Sequence, residues 1–441
     1  MTMVQSVRGG MELRPDCRAV AGSGHLRRSL VLGASWSRHG GAELRLAVES
    51  GADPQLVAVA SLAGVEQGVL SSPGWVVLDS YRAPVPEVDD LVILDDFRQR
   101  CDHGSKYVVD QNFGADRSLY PEADIALVGP SYALLRPEFA TVRAQRELSR
   151  DRIEHVVVAL GGVPPKELLE LVTGMVCEAL PGSHVEVLDG SRTDVGAVLA
   201  RADLAVSAAG STTWELLCCG VPTILLAVAP NQEAVRDCLV DAGYCWASSE
   251  ADLRVVVRSV AADAAERHNR SIRGSALVDG LGAGRVVAEL RSNDILLTRA
   301  SMDDAATLFS WANDPVTRSN SFVSEPIDWA THASWLSTIL EDESSLLFVA
   351  RYGLDLVGQV RFSLREEDVE IGVSLSPECR GRGLGAALIL SGCRAATVAW
   401  GRRRIVARIK TINHASTQSF RSAGFAEPLR SGGDSMEMTY E

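Results

Sequence analysis

The chain contains no run of about eighteen apolar residues, the length a helix needs to cross a bilayer, so no membrane partner is expected. It is also poor in cations. Lys and Arg number 43 against 57 Asp and Glu, for a formal net charge of −14. A surface that follows a nucleic-acid backbone needs excess positive charge, and no nucleic-acid partner is expected here. A small phosphorylated ligand is not excluded, because one or two backbone loops suffice to hold it. The nine cysteines never fall in a Cys-x-x-Cys spacing, so they read as buried or free thiols of a reducing compartment, with Cys218-Cys219 in a core helix. The eight histidines form no His-x-x-x-His pair, and no metal is expected. Short-period repeats and low-complexity tracts are missing as well. Met1 to Gly10 lacks the apolar core of a signal peptide, which points to a cytoplasmic protein. Met11 is an alternative start that N-terminal sequencing would test.

What is present is a soluble, globular composition, 46% hydrophobic and 23% charged, over 441 residues, enough for two or three domains. Short apolar runs separated by helical stretches occupy the first two-thirds: Leu44–Val48, Trp75–Leu78, Leu91–Leu94, Tyr107–Val109 and Ile125–Val128, then Val156–Leu160, Val185–Leu188, Leu204–Ser207 and Thr223–Ala227. Unalternated runs suit parallel strands covered on both faces, and the polar stretch Arg143–Glu154 divides them into two α/β units. Several runs end in polar residues, Asp79-Ser80-Tyr81, Asp95-Asp96 and Asp110-Gln111-Asn112. Ligands of parallel sheets bind beyond such carboxyl ends. The pattern changes at Ile295. Ile295–Arg299, Leu346–Arg351, Leu356–Phe362, Val369–Leu375 and Arg404–Lys410 read as strands with antiparallel alternation, and Ala386–Ala396 as an apolar helix.

Three glycine loops carry the chemistry. The first, Gly22-Ser23-Gly24-His25, follows Arg14-Pro15-Asp16 and opens a helix through Leu26-Arg27-Arg28. Glycines let backbone approach a phosphate closely, and a histidine there can move a proton near neutral pH. The second, Gly210-Ser211-Thr212-Thr213-Trp214-Glu215, follows a strand and precedes an apolar helix, so its N–H groups and hydroxyls suit phosphates. The third is Arg380-Gly381-Arg382-Gly383-Leu384-Gly385.

The first two of these loops, with Leu78-Asp79-Ser80-Tyr81, Asp95-Asp96, Gly129-Pro130-Ser131-Tyr132 through Phe139, Gly220-Val221-Pro222 and Asn231-Gln232, resemble the nucleotide-sugar hydrolases of pseudaminic acid biosynthesis over residues 11–290. That family cleaves UDP from UDP-2,4-diacetamido-2,4,6-trideoxy-β-L-altropyranose and is related to glycosyltransferases of the two-lobed GT-B fold. The resemblance implies two Rossmann-like lobes, 11–147 and 148–292, a UDP-linked amino sugar as substrate, and inversion at its anomeric carbon. His25 would activate water, or else only hydrogen-bond a phosphate. Asp16 and Arg14 would orient His25 or the sugar, or pair with each other. Gly22, Gly24, Gly210, Ser211 and Thr212 would hold the phosphates. Glu215 would accept from ribose hydroxyls, or else stabilise its helix's first turn. Asp79, Tyr81, Asp95 and Asp96 would hold sugar substituents or cap helices, and Asn231 and Gln232 would face the sugar. Tyr132 and Glu138, near Arg136, read as structural. One departure is Gly161-Gly162-Val163-Pro164-Pro165, where the family carries Gly-Gly-x-Asp-Pro.

Residues 293–441 resemble GNAT N-acetyltransferases, an α+β fold. The Arg380–Gly385 turn between a strand and a helix would bind the pyrophosphate of acetyl-CoA, the co-substrate, through Arg380, Gly381, Arg382, Gly383 and Gly385. Asn413, Ser416 and Ala423-Gly424-Phe425 match the family's closing elements, and Trp311-Ala312-Asn313-Asp314 with Arg318, His332 and Trp335 resembles the members acting on amino sugars or ribosomal-protein N-termini. Phe420 stands where many members carry a Tyr general acid. Glu370 is either a base for the substrate amine or a solvated strand residue. The combined expectation is a bifunctional enzyme that acetylates a 4-amino sugar nucleotide and then releases UDP. The alternatives are a glycosyltransferase, action on another nucleotide sugar, or a binding protein without turnover.

Overall fold

Strands Trp75–Asp79, Leu91–Leu94 and Tyr107–Asp110 are buried along their whole length, as apolar runs without alternation demand. The computed structural model describes residues 9–18, 23–41, 43–49, 51–103, 107–147, 151–162, 164–190, 192–426, 431–432 and 434–440. The first sheet contains β1 (Met11–Pro15), β2 (Leu44–Leu46), β3 (Glu66–Gln67), β4 (Trp75–Asp79), β5 (Leu91–Leu94), β6 (Tyr107–Asp110) and β7 (Ile125–Val128). Its order is β3-β2-β1-β4-β5-β6-β7, with every ladder parallel. The second contains β8 (His155–Ala159), β9 (His184–Val187), β10 (Leu204–Ala208), β11 (Thr223–Leu226) and β12 (Trp246–Ala247). Its order is β12-β11-β10-β8-β9, again all parallel. Both sheets are Rossmann-like. The chain reverses its direction of winding between β1 and β4 in one and between β8 and β10 in the other, and the crevice beyond the carboxyl ends at such a reversal is where ligands bind.

β1 was not legible as a strand because it carries Glu12 and Arg14. Glu12 is nevertheless fully buried. Arg14 Nε donates to its Oε1 at 2.6 Å and the Leu70 N–H donates to its Oε2 at 2.8 Å, so the carboxylate is paired rather than stranded.

The third sheet contains β13 (Ile295–Arg299), β14 (Ser345–Tyr352), β15 (Asp355–Arg365), β16 (Asp368–Leu375), β17 (Ile405–Lys410), β18 (Ser431–Gly432) and β19 (Ser435–Tyr440). Its order is β13-β14-β15-β16-β17-β19-β18. All its ladders are antiparallel except β16 with β17, the pair joined by the crossover helix Leu384–Trp400. That parallel ladder runs only from Val369↔Ile405 to Ile371↔Ala407. Gly372 to Leu375 therefore part from β17 and open a gap in the sheet.

The chain divides into two compact units, Gly9–Ala34 with Glu43–Ala283, and Ser35–Ala42 with Gly284–Glu441. The first holds both parallel sheets and the second holds the mixed sheet. No helix among the described residues is long and apolar enough to cross a membrane.

The crossover helix lies on the mixed sheet through Gly392, where a Cβ would stand 2.9 Å from Val360 Cγ2 and 3.0 Å from Phe362 Cζ. Gly392→Val overpacks this contact and is expected to cost ~1–3 kcal/mol. Thermal unfolding checks it, and an unchanged midpoint would mean that the helix shifts outward at no cost.

Candidate functional site

The carboxyl ends of β1 and β4 meet at the first reversal, where the Asp16 N–H donates to the Asp79 carbonyl at 2.8 Å. The helix Gly24–Arg38 starts over this junction. Its first turn places His25 with Nδ1 2.5 Å from Asp79 Oδ1. Asp79 has no exposed surface. Burial opposes its charge, but Arg28 and His25 outweigh that and hold its carboxyl down at about 2. Arg28, one turn further along, donates from Nε to Asp79 Oδ2 and from Nη2 to Oδ1, both at 2.7 Å, and Ser29 Oγ adds a bond at 3.2 Å. An ionised carboxylate accepts, so Nδ1 carries the proton that faces Asp79, and in the neutral ring the lone pair is on Nε2. Nε2 makes no hydrogen bond among the described residues, and the side chain is 12% exposed. Tyr81 packs edge-on against the ring with centroids 4.9 Å apart.

The network continues along the strand ends. Arg28 Nη1 donates to Asp96 at 2.7 Å, and the Tyr81 hydroxyl donates to the same carboxylate. Asn112 Nδ2 bridges Asp96 (2.7 Å) and Asp110 (2.8 Å). Burial would raise the Asp96 carboxyl, yet Arg28, Tyr81 and Asn112 keep it below its usual range. Asp110 goes the other way. Burial and the neighbouring Asp96 push it up to about 6, against the N–H groups of Asn112 and Phe97 and the Tyr120 hydroxyl.

Expectations at four residues are corrected here. Asp16 does not orient His25, because its carboxylate is taken by Arg18 through Nε (2.9 Å), Nη2 and the backbone N–H (3.1 Å). Arg14 pairs with Glu12 rather than with Asp16. Asp79, expected to face the sugar, is saturated by protein donors. Asp95 is likewise occupied, by His103 Nε2 at 2.6 Å and the Asp96 N–H at 2.8 Å. Gly22 and Val163 lie outside the described residues.

The second reversal faces the first within the same unit. A Cβ at Gly162, after β8, would stand 2.5 Å from Ser23 Oγ, and Arg27 Nη2 donates to the Gly190 carbonyl at 2.7 Å. A Cβ at Gly24 would meet nothing within 4 Å, so the start of the His25 helix fronts open space. After β10, Gly210, Ser211 and Thr212 lead into the helix Thr212–Cys218. The N–H groups of Ser211 and Thr212 find no acceptor among the described residues. Asn231 and Gln232 occupy the 3-10 turn Pro230–Gln232. Gln232 Oε1 accepts from the Val228 N–H at 3.1 Å, and its Nε2 lies 3.9 Å from where a Cβ at Gly210 would be. Glu215 is half-buried and its carboxylate has no hydrogen bond among the described residues. Burial pushes it up to about 7, opposed by Arg136 and Arg27 and reinforced by Glu138. Arg136 carries no assigned role in the sequence. It lies 3.2 Å from Glu138, and its Nη2 is buried without a hydrogen-bond partner, as is Arg27 Nε. Both guanidiniums act on the carboxylate beside the Ser211–Thr212 loop, a feature that emerges only from the fold.

In the smaller unit, a cavity of about 600 Å³ opens where β16 and β17 part. Gly381, Gly383 and Gly385 lie along it, with Asn413, Ser416 and Phe420 from the closing helix. Gly381 (φ +73°) and Gly383 (φ +70°) take left-handed backbone, and the N–H groups from Gly381 to Gly383 have no acceptor among the described residues. Arg38, Arg380, Arg408 and Lys410 line the cavity and no Asp or Glu does, in a chain of net charge −14. Arg380 Nη2 is 2.6 Å from Asp314 Oδ2 and 2.8 Å from Thr317 Oγ1, so it braces the turn. Arg382 does not line the cavity. Its carbonyl accepts from Arg291 Nη1 at 3.0 Å. Asn413 Oδ1 caps its helix by accepting from the Ser416 N–H at 3.1 Å. Phe420 packs edge-on to Phe425 with centroids 4.8 Å apart. Glu370 is corrected too: it is not on the cavity wall, but faces Ser363 on β15 and lies 3.8 Å from Arg365. No group of three or more His, Cys, Asp or Glu placed to hold a metal occurs among the described residues.

Comparison with known proteins divides the chain in the same way. Residues 294–426 match the family model for the acetyltransferase (GNAT) domain. The spore coat polysaccharide biosynthesis protein SpsG of Bacillus subtilis (strain 168) is 24% identical over 180 residues, 35% of this chain and 53% of SpsG. The chain thus spans about half the length of this curated relative. Among solved structures, a domain from Methanocaldococcus jannaschii DSM 2661 is 21% identical with TM-score 0.30, covering 33% of this chain and 97% of its own. Spermidine N-acetyltransferase from Vibrio cholerae, in complex with CoA and spermine, is 16% identical with TM-score 0.30, covering 33% and 94%. The chain therefore joins two Rossmann-like parallel sheets to a C-terminal mixed-sheet region that matches the GNAT acetyltransferase family model.

Proposed function

We propose that the chain is a bifunctional sugar-nucleotide enzyme with lobes at 11–147 and 148–292 in a GT-B-like arrangement and an acetyltransferase domain at 293–441. Its substrate is a UDP-linked 2,4-diacetamido-2,4,6-trideoxy hexose of a pseudaminic-type pathway. The observation that carries the hydrolytic half is the His25–Asp79 pair at the first reversal. Asp79 fixes the Nδ1–H tautomer and leaves Nε2 as a base. As water attacks the anomeric carbon, Nε2 takes its proton, the new C–O bond forms with inversion, and the bond to UDP breaks. Asp79 stabilises the imidazolium that results. Ser211, Thr212, Arg27 and Arg136 would hold the departing diphosphate, and Glu215 the ribose hydroxyls. The relative named for polysaccharide biosynthesis supports a carbohydrate substrate.

The cation-lined cavity with its row of free turn amides fits acetyl-CoA. Bound there, acetyl-CoA supplies the acetyl group to the 4-amino group of the precursor. Gly381 and Gly383 present N–H donors to the pyrophosphate. Phe420 has no proton to give the departing thiolate, so this residue contributes only packing.

Mass spectrometry of products from the UDP-4-amino precursor, with and without acetyl-CoA, tests both halves. Free diacetamido sugar and UDP should appear without any acceptor. UDP release that requires an added sugar would instead mark a glycosyltransferase.

His25→Ala should lower UDP release roughly 100- to 10,000-fold. Asp79→Asn strips a buried guanidinium of its partner as well as mispositioning the proton. We expect a comparable rate loss together with ~3–5 kcal/mol of destabilisation in denaturant titrations. Because the Asp79 carboxyl is depressed to about 2, its contribution is intact above its ordinary value near 3.8 and is lost as pH falls through about 2. Wild type and Asp79→Asn should thus converge in stability in that acid range.

Glu215 is displaced upward, so its ionised, hydrogen-bond-accepting form fills in as pH rises through about 7. UDP affinity measured from pH 6 to 8 should rise more steeply in wild type than in Glu215→Gln, and parallel profiles would remove Glu215 from the site. Phe420→Tyr should raise the acetyl-transfer kcat with little change in KM for acetyl-CoA. A fall in both would mean that the position serves packing only.

A further inference from the structure

The wall of the cation-lined cavity is not drawn from the GNAT segment alone. Arg38 and His39 also line it, from a part of the chain far outside residues 294–426. They belong to Ser35–Ala42, which groups with Gly284–Glu441 in the smaller unit. The segment is anchored there by specific contacts. Trp36 is 1% exposed, and the guanidinium of Arg291 lies 5.0 Å from the centre of its ring. Through Nη1 the same Arg291 holds the carbonyl of Arg382 in the glycine turn at 3.0 Å. One guanidinium thus ties the segment and the turn together.

His39 completes the junction. Its Nδ1–H donates to the Ser35 carbonyl at 2.7 Å, which fixes the ring. Its Cβ and Cδ2 stand 2.5 Å from where a Cβ at Gly383 would be. The imidazole is therefore packed against the backbone whose neighbouring N–H groups have no acceptor among the described residues. Arg38 adds a guanidinium on the same wall, which Arg380, Arg408 and Lys410 also line.

We propose that Arg38 and His39 are cofactor-binding residues of the acetyltransferase, forming the wall beside the glycine turn and selecting a thiol ligand that carries a nucleoside diphosphate. The proposal rests on the reading that this cavity takes acetyl-CoA, and it goes beyond it by assigning part of the site to the N-terminal third of the chain. A wall of this kind should act on the charged, nucleotide half of the ligand and leave its pantetheine arm untouched.

Calorimetric titration of the full-length protein with coenzyme A and with pantetheine separates these contributions. In the Arg38→Ala/His39→Ala variant, the Kd for coenzyme A should rise about tenfold or more while that for pantetheine stays the same. Arg38→Glu should weaken coenzyme A binding further while leaving the Kd for pantetheine the same. Unchanged coenzyme A affinity in both variants overturns the proposal. An equal loss for both ligands does so too, since it would mark a structural effect. Wild-type protein that binds no coenzyme A fails the acetyl-CoA reading itself and takes this proposal with it, whereas wild-type binding that the variants retain fails this proposal alone.

Discussion

A single carboxylate without solvent exposure, Asp79, organises the N-terminal site. An isolated buried charge would be expensive, and this one is stabilised by a bidentate guanidinium, a hydroxyl and an imidazole that all come from one helix, Gly24–Arg38. The pairing seats that helix on the end of β4, orients His25, and turns the second edge of Arg28 toward Asp96. From there Asn112 passes the constraint on to Asp110. Three neighbouring strand ends are held in register by alternating charges. Well-packed apolar residues would often stabilise a core at least as well as such an ionic cluster. The arrangement fixes the place of the imidazole more clearly than it adds stability. Its polarity agrees: Asp79 is held firmly ionised, while Asp110 at the far end is pushed toward its neutral form.

Much of this architecture could be read in the sequence because a parallel sheet covered on both faces writes itself as apolar runs. The runs at Trp75, Leu91, Tyr107 and Leu204 became strands within a residue or two of where they were expected. β1 escaped because its buried Glu12 and Arg14 neutralise each other, and charge pairing cannot be told from solvation by composition. His25 was legible from its glycine loop, but its partner was not. Asp16 is nearer in the chain, whereas Asp79 is brought in by the parallel pairing of β1 with β4, in which Pro15 stands opposite Asp79. Arg136 and Arg27 flank Glu215 only after two separate loops converge, and no local spacing announces that.

The C-terminal domain shows the complementary case. Its glycine turn was legible, and so was the helix behind it. What makes room for a ligand is the early end of one ladder: β16 and β17 pair through Ile371 and Ala407 and then part. Each strand keeps its own pattern past that point, so the gap leaves no mark in either. Alternation along β16 also decided the fate of Glu370, since successive side chains leave opposite faces and only the fold says which face meets the cavity. Arg380 is a similar lesson. The residue type fits phosphate binding, but its guanidinium is engaged by Asp314 and Thr317, so the turn's backbone is left to meet an anion.

The boundary of a domain is an energetic statement before it is a stretch of numbering. Counted along the chain, the acetyltransferase begins near residue 293. Counted by what its side chains need, it begins earlier and in two pieces, because Arg291 has its guanidinium over Trp36 and Gly383 has its backbone against His39. Removing Ser35–Ala42 would expose an indole-sized face and leave a guanidinium over empty space, a loss of the order of a core deletion at ~3–5 kcal/mol. Domains that stay connected only by a tether keep polar surfaces facing one another, since each must be soluble alone. A fully buried tryptophan contributed by a distant segment is the opposite arrangement. It makes Ser35–Ala42 part of the unit that holds the mixed sheet.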